Sequence, residues 1–172
     1  NVIKYHPRVP NLIFVGTDRG IYRSTDNLQT WVRTNTAWNV RDIEFHPTNN
    51  NIIYVYENYY WGTNKNKIFK STNQGLSYVG LTDLPGNANA PINIVTIPSL
   101  PNCIFVSFDN GIWKSFNEGV TFNTTVSPAP TGVSLYYAAP SELDTSKYVS
   151  GYLDLFKSSS GGITSNQCSW WS

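Results

Sequence analysis

The feature that most constrains this chain is a fourfold internal repeat. One pattern occurs four times along the 172 residues: Ile or Leu, an aromatic residue, a basic residue and a serine, followed by a polar turn. The serines are Ser24, Ser71, Ser115 and Ser158, and successive serines lie 47, 44 and 43 residues apart. Repeats of about 40 to 50 residues are typical of arrays in which each unit buries its apolar face only against a neighbouring unit.

A second landmark keeps the same register. A proline follows an apolar stretch in every unit, at Pro7, Pro47, Pro98 and Pro140. In the first three units an apolar run begins five residues later, at Leu12, Ile52 and Cys103, and in the fourth it is delayed to Tyr148. Because two independent landmarks agree, we predict a single segment of four units at 1–39, 40–90, 91–130 and 131–172.

Each unit is predicted to form four short β-strands. The first ends at the proline, which lacks the N–H that a strand ladder needs, and the second is the β-branched and aromatic run. The third contains the serine and the fourth follows the turn. Apolar residues rarely recur at helical spacing. The predicted fold class is therefore all-β: a β-propeller built of four four-stranded blades, either alone or as part of a larger or oligomeric propeller.

The turn between the third and fourth strands carries the most specific motif, Ser-x-Asp-x-Gly-x-Thr-Trp. The first repeat, STDNLQTW, departs from it only at Leu28, which replaces the glycine. A short polar acceptor and a glycine with positive φ are typical of a self-bonded turn, which an aromatic residue closes by packing between neighbouring sheets. The residues predicted to have this structural role are Ser24, Asp26, Thr30, Trp31, Ser71, Asn73, Gly75, Ser115, Asn117, Gly119, Ser158 and Gly162.

With these residues the chain resembles the Asp-box, or bacterial neuraminidase repeat, propellers along essentially its whole length. That superfamily, as the resemblance implies, includes sialidases, xyloglucanase-type glycoside hydrolases, sortilin-type sorting receptors and photosystem assembly factors. The strings HPTNNNIIYV and GTDRGIYRSTD are most similar to the xyloglucanase-type repeats, with sortilin-type receptors next. Fold alone does not decide among these activities.

The sialidase alternative finds little support in the residues. Such an enzyme would need three arginines to hold the substrate carboxylate, besides its tyrosine, glutamate and aspartate. The Arg-Val-Pro string at 8–10 superficially resembles the sialidase signature. It occupies the loop position that Thr48 and Ser99 begin in the next two units, which favours a loop role.

The xyloglucanase resemblance implies one candidate catalytic residue, Asp18. Those enzymes use two aspartates across a cleft between two propellers, for inverting hydrolysis. Asp18 lies in GTDRGIYRS, the kind of string that holds one of them. The alternative is a turn residue at a strand end, because Asp109 recurs at the same distance, six residues, before its serine.

The one departure from regular spacing indicates a ligand-binding loop. The proline-to-serine distance is 24 residues in the second unit and 17 or 18 in the others, so about seven residues are inserted within ENYYWGTNKN at 57–66. Flat aromatic faces beside amide groups suit sugar rings or a protein partner. The predicted ligand-binding residues are Asn58, Tyr59, Tyr60, Trp61 and Asn64. The alternative is that these aromatics only extend the hairpin and pack on the next unit.

Composition excludes several other classes. A formal charge of +1 gives no basic surface for nucleic acid, and no apolar run approaches the ~20 residues of a membrane span. Neither phosphate-loop nor zincin motifs occur, so no cofactor is expected. No metal is expected either, because His6 and His46 recur at equivalent positions, and Cys103 and Cys168 lack zinc-site spacing. The two cysteines could pair or bond another chain.

Localisation and partners follow from weaker signals. Asn123 begins an N-glycosylation sequon, which fits a secreted or extracytoplasmic protein. The chain begins at Asn1 without a charged and apolar leader, which is typical of a processed chain or an excised piece. Terminal units would expose apolar faces, so we expect self-association or neighbouring blades, with Trp170 and Trp171 at an interface.

Three functional hypotheses remain open. The first is an extracytoplasmic propeller that binds or hydrolyses a β-glucan or xyloglucan-like glycan, with the lone chain non-catalytic. The second is a receptor-like or assembly module that binds a protein with the same loops. The third is a structural repeat in an extracellular assembly.

Overall fold

The computed structural model of the chain describes residues 1–35, 39–57, 67–81, 93–108, 111–124, 137–140, 148–151, 155–159 and 166–168. All of the regular secondary structure in these ranges is β. The chain divides into two compact units, Asn1–Leu84 and Pro85–Ser172. The prediction of an all-β fold is confirmed.

The first unit contains two four-stranded sheets. The first sheet comprises β1 Val2–Tyr5, β2 Ile13–Thr17, β3 Gly20–Ser24 and β4 Val32–Asn35. The second sheet comprises β5 Val40–Phe45, β6 Ile53–Glu57, β7 Lys67–Ser71 and β8 Val79–Gly80. In both sheets the spatial order follows the chain order and every neighbouring pair is antiparallel.

The second unit repeats this arrangement. The third sheet comprises β9 Asn93–Ile97, β10 Leu100–Phe108, β11 Gly111–Ser115 and β12 Asn123–Thr124. The fourth sheet comprises β13 Tyr137–Pro140, β14 Tyr148–Gly151, β15 Leu155–Ser158 and β16 Asn166–Gln167. Pro140 is the last residue of β13 and pairs with Tyr148, whereas Pro7, Pro47 and Pro98 follow the ends of their strands. The first strand of each sheet therefore ends at its proline or within two residues before it, as the sequence predicts.

The core of the first unit lies between its two sheets. Buried apolar side chains from both sheets form one cluster: Leu12, Phe14, Ile21, Val40, Ile43, Phe45, Ile53 and Val55. The rings of Phe14 and Phe45 meet across the interface with centroids 5.9 Å apart. Gly16 permits the close approach of β2 to β5, since a Cβ there would lie 2.4 Å from Cγ1 of Val40. Neither sheet could keep these side chains from water alone.

Two arginines add polar links between the same sheets. Arg8 donates from Nε to Oδ1 of Asn50 at 2.7 Å and from Nη2 to the carbonyl of His46 at 2.8 Å. Arg23 donates from Nε to the carbonyl of Gln74 at 2.9 Å. These bonds satisfy loop carbonyls with charged donors, which makes them stronger than neutral bonds. They also give Arg8 a structural role, in agreement with its interpretation as a loop residue.

The His-Pro loops are organised by the histidine rings. Nδ1 of His6 accepts backbone N–H groups of Arg8 at 3.2 Å and Val9 at 3.0 Å. His46 does the same for Thr48 at 3.2 Å and Asn49 at 3.0 Å. An acceptor nitrogen must carry no proton, so these bonds require the neutral ring with its proton on Nε2. The recurrence of histidine therefore has a geometric cause.

Acidification tests the role of His6. Burial lowers the pKa of His6 below its usual 6.5, and the positive charge of Arg8 acts in the same direction. A histidine with a lowered folded-state pKa stabilises the fold above pH 6.5, and this contribution is lost as the pH falls further. We expect the free energy of unfolding to decrease between pH 7 and pH 5, and to decrease less in His6→Asn. Equal losses in urea titrations of both proteins would contradict this assignment.

A glycine pair tests the packing between the sheets. Gly75 has φ of 77°, and a Cβ there would lie 2.4 Å from Cε1 of Phe14. We expect Gly75→Ala to lower the free energy of unfolding by about 2 kcal/mol or more, through left-handed strain and overpacking. Gly80→Ala is the matched control, because its new Cβ would meet nothing closer than 3.6 Å. Equal effects of the two substitutions in denaturant unfolding would contradict the packing argument.

Candidate functional site

In the first three sheets the serine-centred turns connect the third strand to the fourth at the same end of the sheet. In the first turn Ser24 donates to Oδ1 of Asp26 at 2.9 Å and accepts the N–H of Leu28 at 3.1 Å. Oδ1 of Asp26 also accepts the N–H of Thr30 at 2.9 Å, while Oδ2 accepts the Thr30 hydroxyl. These bonds to the ionised carboxylate hold the pKa of Asp26 at about 2. Both carboxylate oxygens of Asp26 are therefore engaged in hydrogen bonds within the turn itself.

Asparagine replaces the acid and bonds the same groups of the turn, although its amide donates to the hydroxyl that donates to Asp26 in the first turn. In the second turn Asn73 accepts from Ser71 and from the N–H of Ser77, both at 2.9 Å, and its amide donates to the Ser77 hydroxyl at 2.8 Å. In the third turn Asn117 makes the same three bonds, to Ser115 and Thr121 at 2.9 Å. A short side chain with one acceptor oxygen is therefore sufficient, and the turn needs no charge.

The position of the turn glycine holds leucine in the first repeat, with the same backbone conformation. Gly75 and Gly119 have φ of 77° and 87°, and Leu28 adopts φ of 73° at the equivalent position. A non-glycine residue there carries the steric cost of the left-handed region. Despite this strain, the first turn retains the hydrogen bonds of Ser24 and Asp26. The sequence mismatch at Leu28 therefore leaves the backbone path unchanged.

The aromatic residue that closes the turn is covered to a different extent in each of the first three sheets. Trp31 is 38% exposed. In the second turn Tyr78 packs against the core cluster, and burial raises the pKa of its hydroxyl to about 12. Phe122 is buried in the third turn. Whether this residue is covered depends on what lies beside its hairpin, which the motif does not specify.

The fourth turn is described only in part. Ser158 ends β15 and pairs with Tyr148, as Ser24 pairs with Ile13 in the first sheet. Gly162 lies outside the described residues.

Asp18 lies at the opposite end of the first sheet from the serine turn. It forms, with Arg19, the two-residue connection between β2 and β3, where Thr17 pairs with Gly20. Gly20 has φ of 126°, a value that favours glycine and lets the hairpin close. Asp18 is exposed, so its carboxylate is open to a ligand.

Two asparagines flank Asp18 that the sequence did not single out. Nδ2 of Asn1 donates to Oδ1 of Asp18 at 2.7 Å and to Oδ1 of Asn39 at 3.4 Å. The backbone N–H of Asn39 donates to the Asp18 carbonyl at 3.2 Å. The result is a carboxylate oriented by one amide, that of Asn1, which also bonds the amide of Asn39. Such a group can bond hydroxyl groups of a ligand. These residues are far apart in sequence, so only the pairing of sheets brings them together.

The inserted loop leaves the second sheet at the end that corresponds to Asp18. β6 ends at Glu57 and β7 begins at Lys67, and these two residues pair across the hairpin. Nine residues therefore connect β6 to β7, where two residues connect β2 to β3. The predicted ligand-binding residues Asn58, Tyr59, Tyr60, Trp61 and Asn64 lie outside the described residues, as does Asp109. The equivalence of the two connections was not predicted from the sequence.

The cysteines, the sequon asparagine and a buried lysine lie outside the surroundings of Asp18. Both cysteines are free, and burial raises the pKa of the Cys103 thiol. Lys114 lies 5.9 Å from the centroid of the Phe105 ring, a cation–π distance, and burial lowers its pKa. Asn123 is exposed on β12. Among the described residues no group of three His, Cys, Asp or Glu could hold a metal ion.

Comparison with known proteins places the fold among propeller-type GH74 structures. A curated xyloglucanase of Hypocrea jecorina (strain QM6a) is 27% identical over an alignment of 191 residues, which covers 95% of this chain and 22% of that protein. The crystal structure of the Niastella koreensis GH74 enzyme matches with a TM-score of 0.75 and 21% identity, covering 98% of this chain and 29% of the other. The chain therefore spans about a fifth of the length of the curated relative it matches.

The fold is also shared with a protein of another kind. A structure of YCF48 bound to D1 peptide has a TM-score of 0.64 and 14% identity, covering 96% of this chain and 53% of that one. No protein-family model matches the chain. At these identities the structural matches define the propeller-type fold alone.

A pair of substitutions tests the charge independence of the turn. Because the pKa of Asp26 is lowered to about 2 from its usual 3.8, its ionised form stabilises the fold above about pH 4 and this contribution is lost as the pH falls toward 2. We expect Asp26→Ala to lower the melting temperature at pH 7. We expect Asp26→Asn to keep it near the wild-type value, as Asn73 and Asn117 do in their turns, and to reduce the acid loss between pH 4 and pH 2. Similar melting temperatures for Ala and Asn at pH 7 would contradict this account.

Proposed function

We propose that this chain is a propeller segment that binds a glycan of the β-glucan or xyloglucan type. The observation that carries the proposal is the sequence match to a xyloglucanase over 95% of the chain, which includes all four sheets. The fold match to GH74 enzymes agrees with it. The match includes the strand and turn that hold Asp18, whose exposed carboxylate is the natural candidate for contact with sugar hydroxyl groups.

The proposed binding surface combines the two connections at the Asp18 end of the first unit. The short β2–β3 turn supplies the Asp18 carboxylate with the Asn1 amide 2.7 Å from it. The long β6–β7 connection, which lies outside the described residues, would supply the aromatic residues Tyr59, Tyr60 and Trp61, with Asn58 and Asn64 as hydrogen-bonding groups. Sugar rings are bound by such combinations, because their C–H faces pack on aromatic rings while their hydroxyl groups bond amides and carboxylates.

Hydrolysis would require a second carboxyl group in addition to Asp18. Inverting hydrolysis needs a general acid and a general base about 6.5–9.5 Å apart, with a water between them. Asp18 would act as one of these carboxylates, and the second would come from another propeller facing the same cleft. The chain by itself is therefore proposed to bind rather than to cleave.

The architecture proposed with this function is the Asp-box propeller, with blades at 1–39, 40–90, 91–130 and 131–172. The serine turns support the Asp-box assignment, because Ser24, Asp26 and Thr30 bond as the motif requires.

An extracytoplasmic location suits a polysaccharide ligand, and the exposed Asn123 is accessible for N-glycosylation. Among the described residues, no helix has the length and apolar character of a membrane span.

Protein binding is the second candidate function. The observation that favours it is the fold match to YCF48 bound to D1 peptide. The same aromatic loop would then hold apolar side chains of a sortilin-type or assembly partner, since tyrosine and tryptophan are enriched at protein interfaces.

Calorimetric titration with xyloglucan and cello-oligosaccharides tests the glycan proposal. We expect binding by the wild-type chain, with the affinity lowered about tenfold or more by Trp61→Ala and about tenfold by Asp18→Asn, which removes charged hydrogen bonds. Asp26→Asn is the matched control, because it makes the same change in a turn at the other end of the sheet and should leave the affinity unchanged.

Three outcomes discriminate the hypotheses. Loss of affinity in Trp61→Ala and Asp18→Asn but not in Asp26→Asn supports the proposed surface. Release of reducing sugar by the pure chain, abolished in Asp18→Asn, would show that the chain is catalytic without a second propeller. No binding to any oligosaccharide, together with capture of a peptide ligand that Trp61→Ala weakens, would replace the glycan proposal by the second candidate.

A further inference from the structure

The hydrogen bonds around Asp18 fix the orientation of two side-chain amides. A carboxylate has only acceptor atoms, so the atom of Asn1 that lies 2.7 Å from Oδ1 of Asp18 is its amide nitrogen. The same nitrogen lies 3.4 Å from the Asn39 side chain, and a donor at that position requires the Asn39 oxygen to face it. The amide nitrogen of Asn39 therefore belongs to the side of the group that Asn1 does not contact.

The backbone of Asn39 holds this amide in place. Asn39 has φ of 58°, in the left-handed region that asparagine tolerates better than most residues. Its N–H donates to the Asp18 carbonyl at 3.2 Å, and the next residue, Val40, is fully buried in the core cluster. Asn39 is thus tied to the Asp18 turn on one side and to the core on the other. Strained backbone of this kind is typical of functional sites.

Two groups of opposite hydrogen-bonding character remain available at this position. Among the described residues, none donates to Oδ2 of Asp18 and none accepts from Nδ2 of Asn39. Asp18 is exposed and Asn39 is partly exposed. Because the carboxylate and the amide both contact the Asn1 nitrogen, they are held as neighbours. The first can only accept a hydrogen bond, whereas the nitrogen of the second can only donate one.

We propose that Asp18 and Asn39 together recognise two adjacent hydroxyl groups of one sugar ring. One hydroxyl donates to the Asp18 carboxylate, and its neighbour accepts from the Asn39 amide. Asn1 acts as a positioning residue, since its amide contacts both side chains. This inference rests on the proposed glycan function and names the chemical group of the ligand that the site binds. The rings of a cello-type glucan chain carry such a pair of hydroxyl groups.

The Asn39 amide nitrogen makes no hydrogen bond within the described part of the fold, so its removal should affect binding more than stability. Glycine adopts positive φ readily, and we expect Asn39→Gly to retain the melting temperature and to lower the affinity for cello-oligosaccharides about tenfold in calorimetric titration. Asn39→Asp keeps an acceptor for Asn1 but replaces the donor, so it should lose at least as much affinity.

A second asparagine of the first sheet provides the matched control. Asn27 has φ of 56° and lies in the serine turn, at the opposite end of the sheet from Asp18. Asn27→Gly therefore makes the same change of side chain and backbone freedom away from the proposed site, and it should leave the affinity unchanged. An equal loss of affinity in Asn27→Gly and Asn39→Gly would overturn the contact between Asn39 and the ligand.

Two modified ligands assign the hydroxyl groups. In each, every ring of the cello-oligosaccharide lacks one hydroxyl of the adjacent pair. We expect each analogue to bind the wild-type chain about tenfold more weakly than the parent sugar. One analogue should lose no further affinity in Asn39→Gly and the other none in Asp18→Asn, because each variant has already lost the partner of the missing hydroxyl.

The outcomes separate this inference from the proposed function. Binding of cello-oligosaccharides that Asn39→Gly leaves unchanged would overturn the recognition of two adjacent hydroxyl groups and leave the glycan proposal standing. The same result follows if both analogues lose affinity by equal factors in the wild type and in Asn39→Gly. Absence of binding to any oligosaccharide would overturn the glycan proposal itself, and this inference with it.

Discussion

Burial of apolar side chains between adjacent sheets is the interaction on which the rest of the first unit depends. Phe14 illustrates it, because its ring contacts Phe45 of the second sheet and also limits position 75 to glycine. Burying a side chain of this size is worth about 1.5–3 kcal/mol, whereas a hydrogen bond contributes about 1 kcal/mol net. The polar links of Arg8 and Arg23 therefore orient an interface that apolar packing stabilises. A four-stranded sheet of this kind has no core of its own, which makes the neighbour part of its folding unit.

The two ends of the sheets in the first unit have different chemical tasks. At one end the polar side chains bond their own turns, as Ser24 and Asp26 do, or cap loops, as His6 does. Such groups are satisfied internally, so only a side chain that keeps the same acceptor can replace them without loss of stability. At the other end the connections that follow β2 and β6 differ in length: two residues, of which Asp18 is one, connect β2 to β3, and nine residues connect β6 to β7. Separating these tasks allows a site to change while the scaffold is retained, as loops on a rigid frame generally do.

The sequence predicted what depends on local pattern. The four strands of each repeat were predictable because alternation, prolines and turn motifs are properties of short segments, and even Leu28 keeps the φ that the glycine motif implies. The exposure of Trp31 was not predictable, because it depends on what lies beside the hairpin. The same holds for the approach of Asn1 to Asp18, which requires that β1 pair with β2, and for the position of the insertion, which lies at the corresponding end of the second sheet. A motif determines the bonding within its own turn, whereas contacts between residues that are distant in sequence form only when strands and sheets pack together.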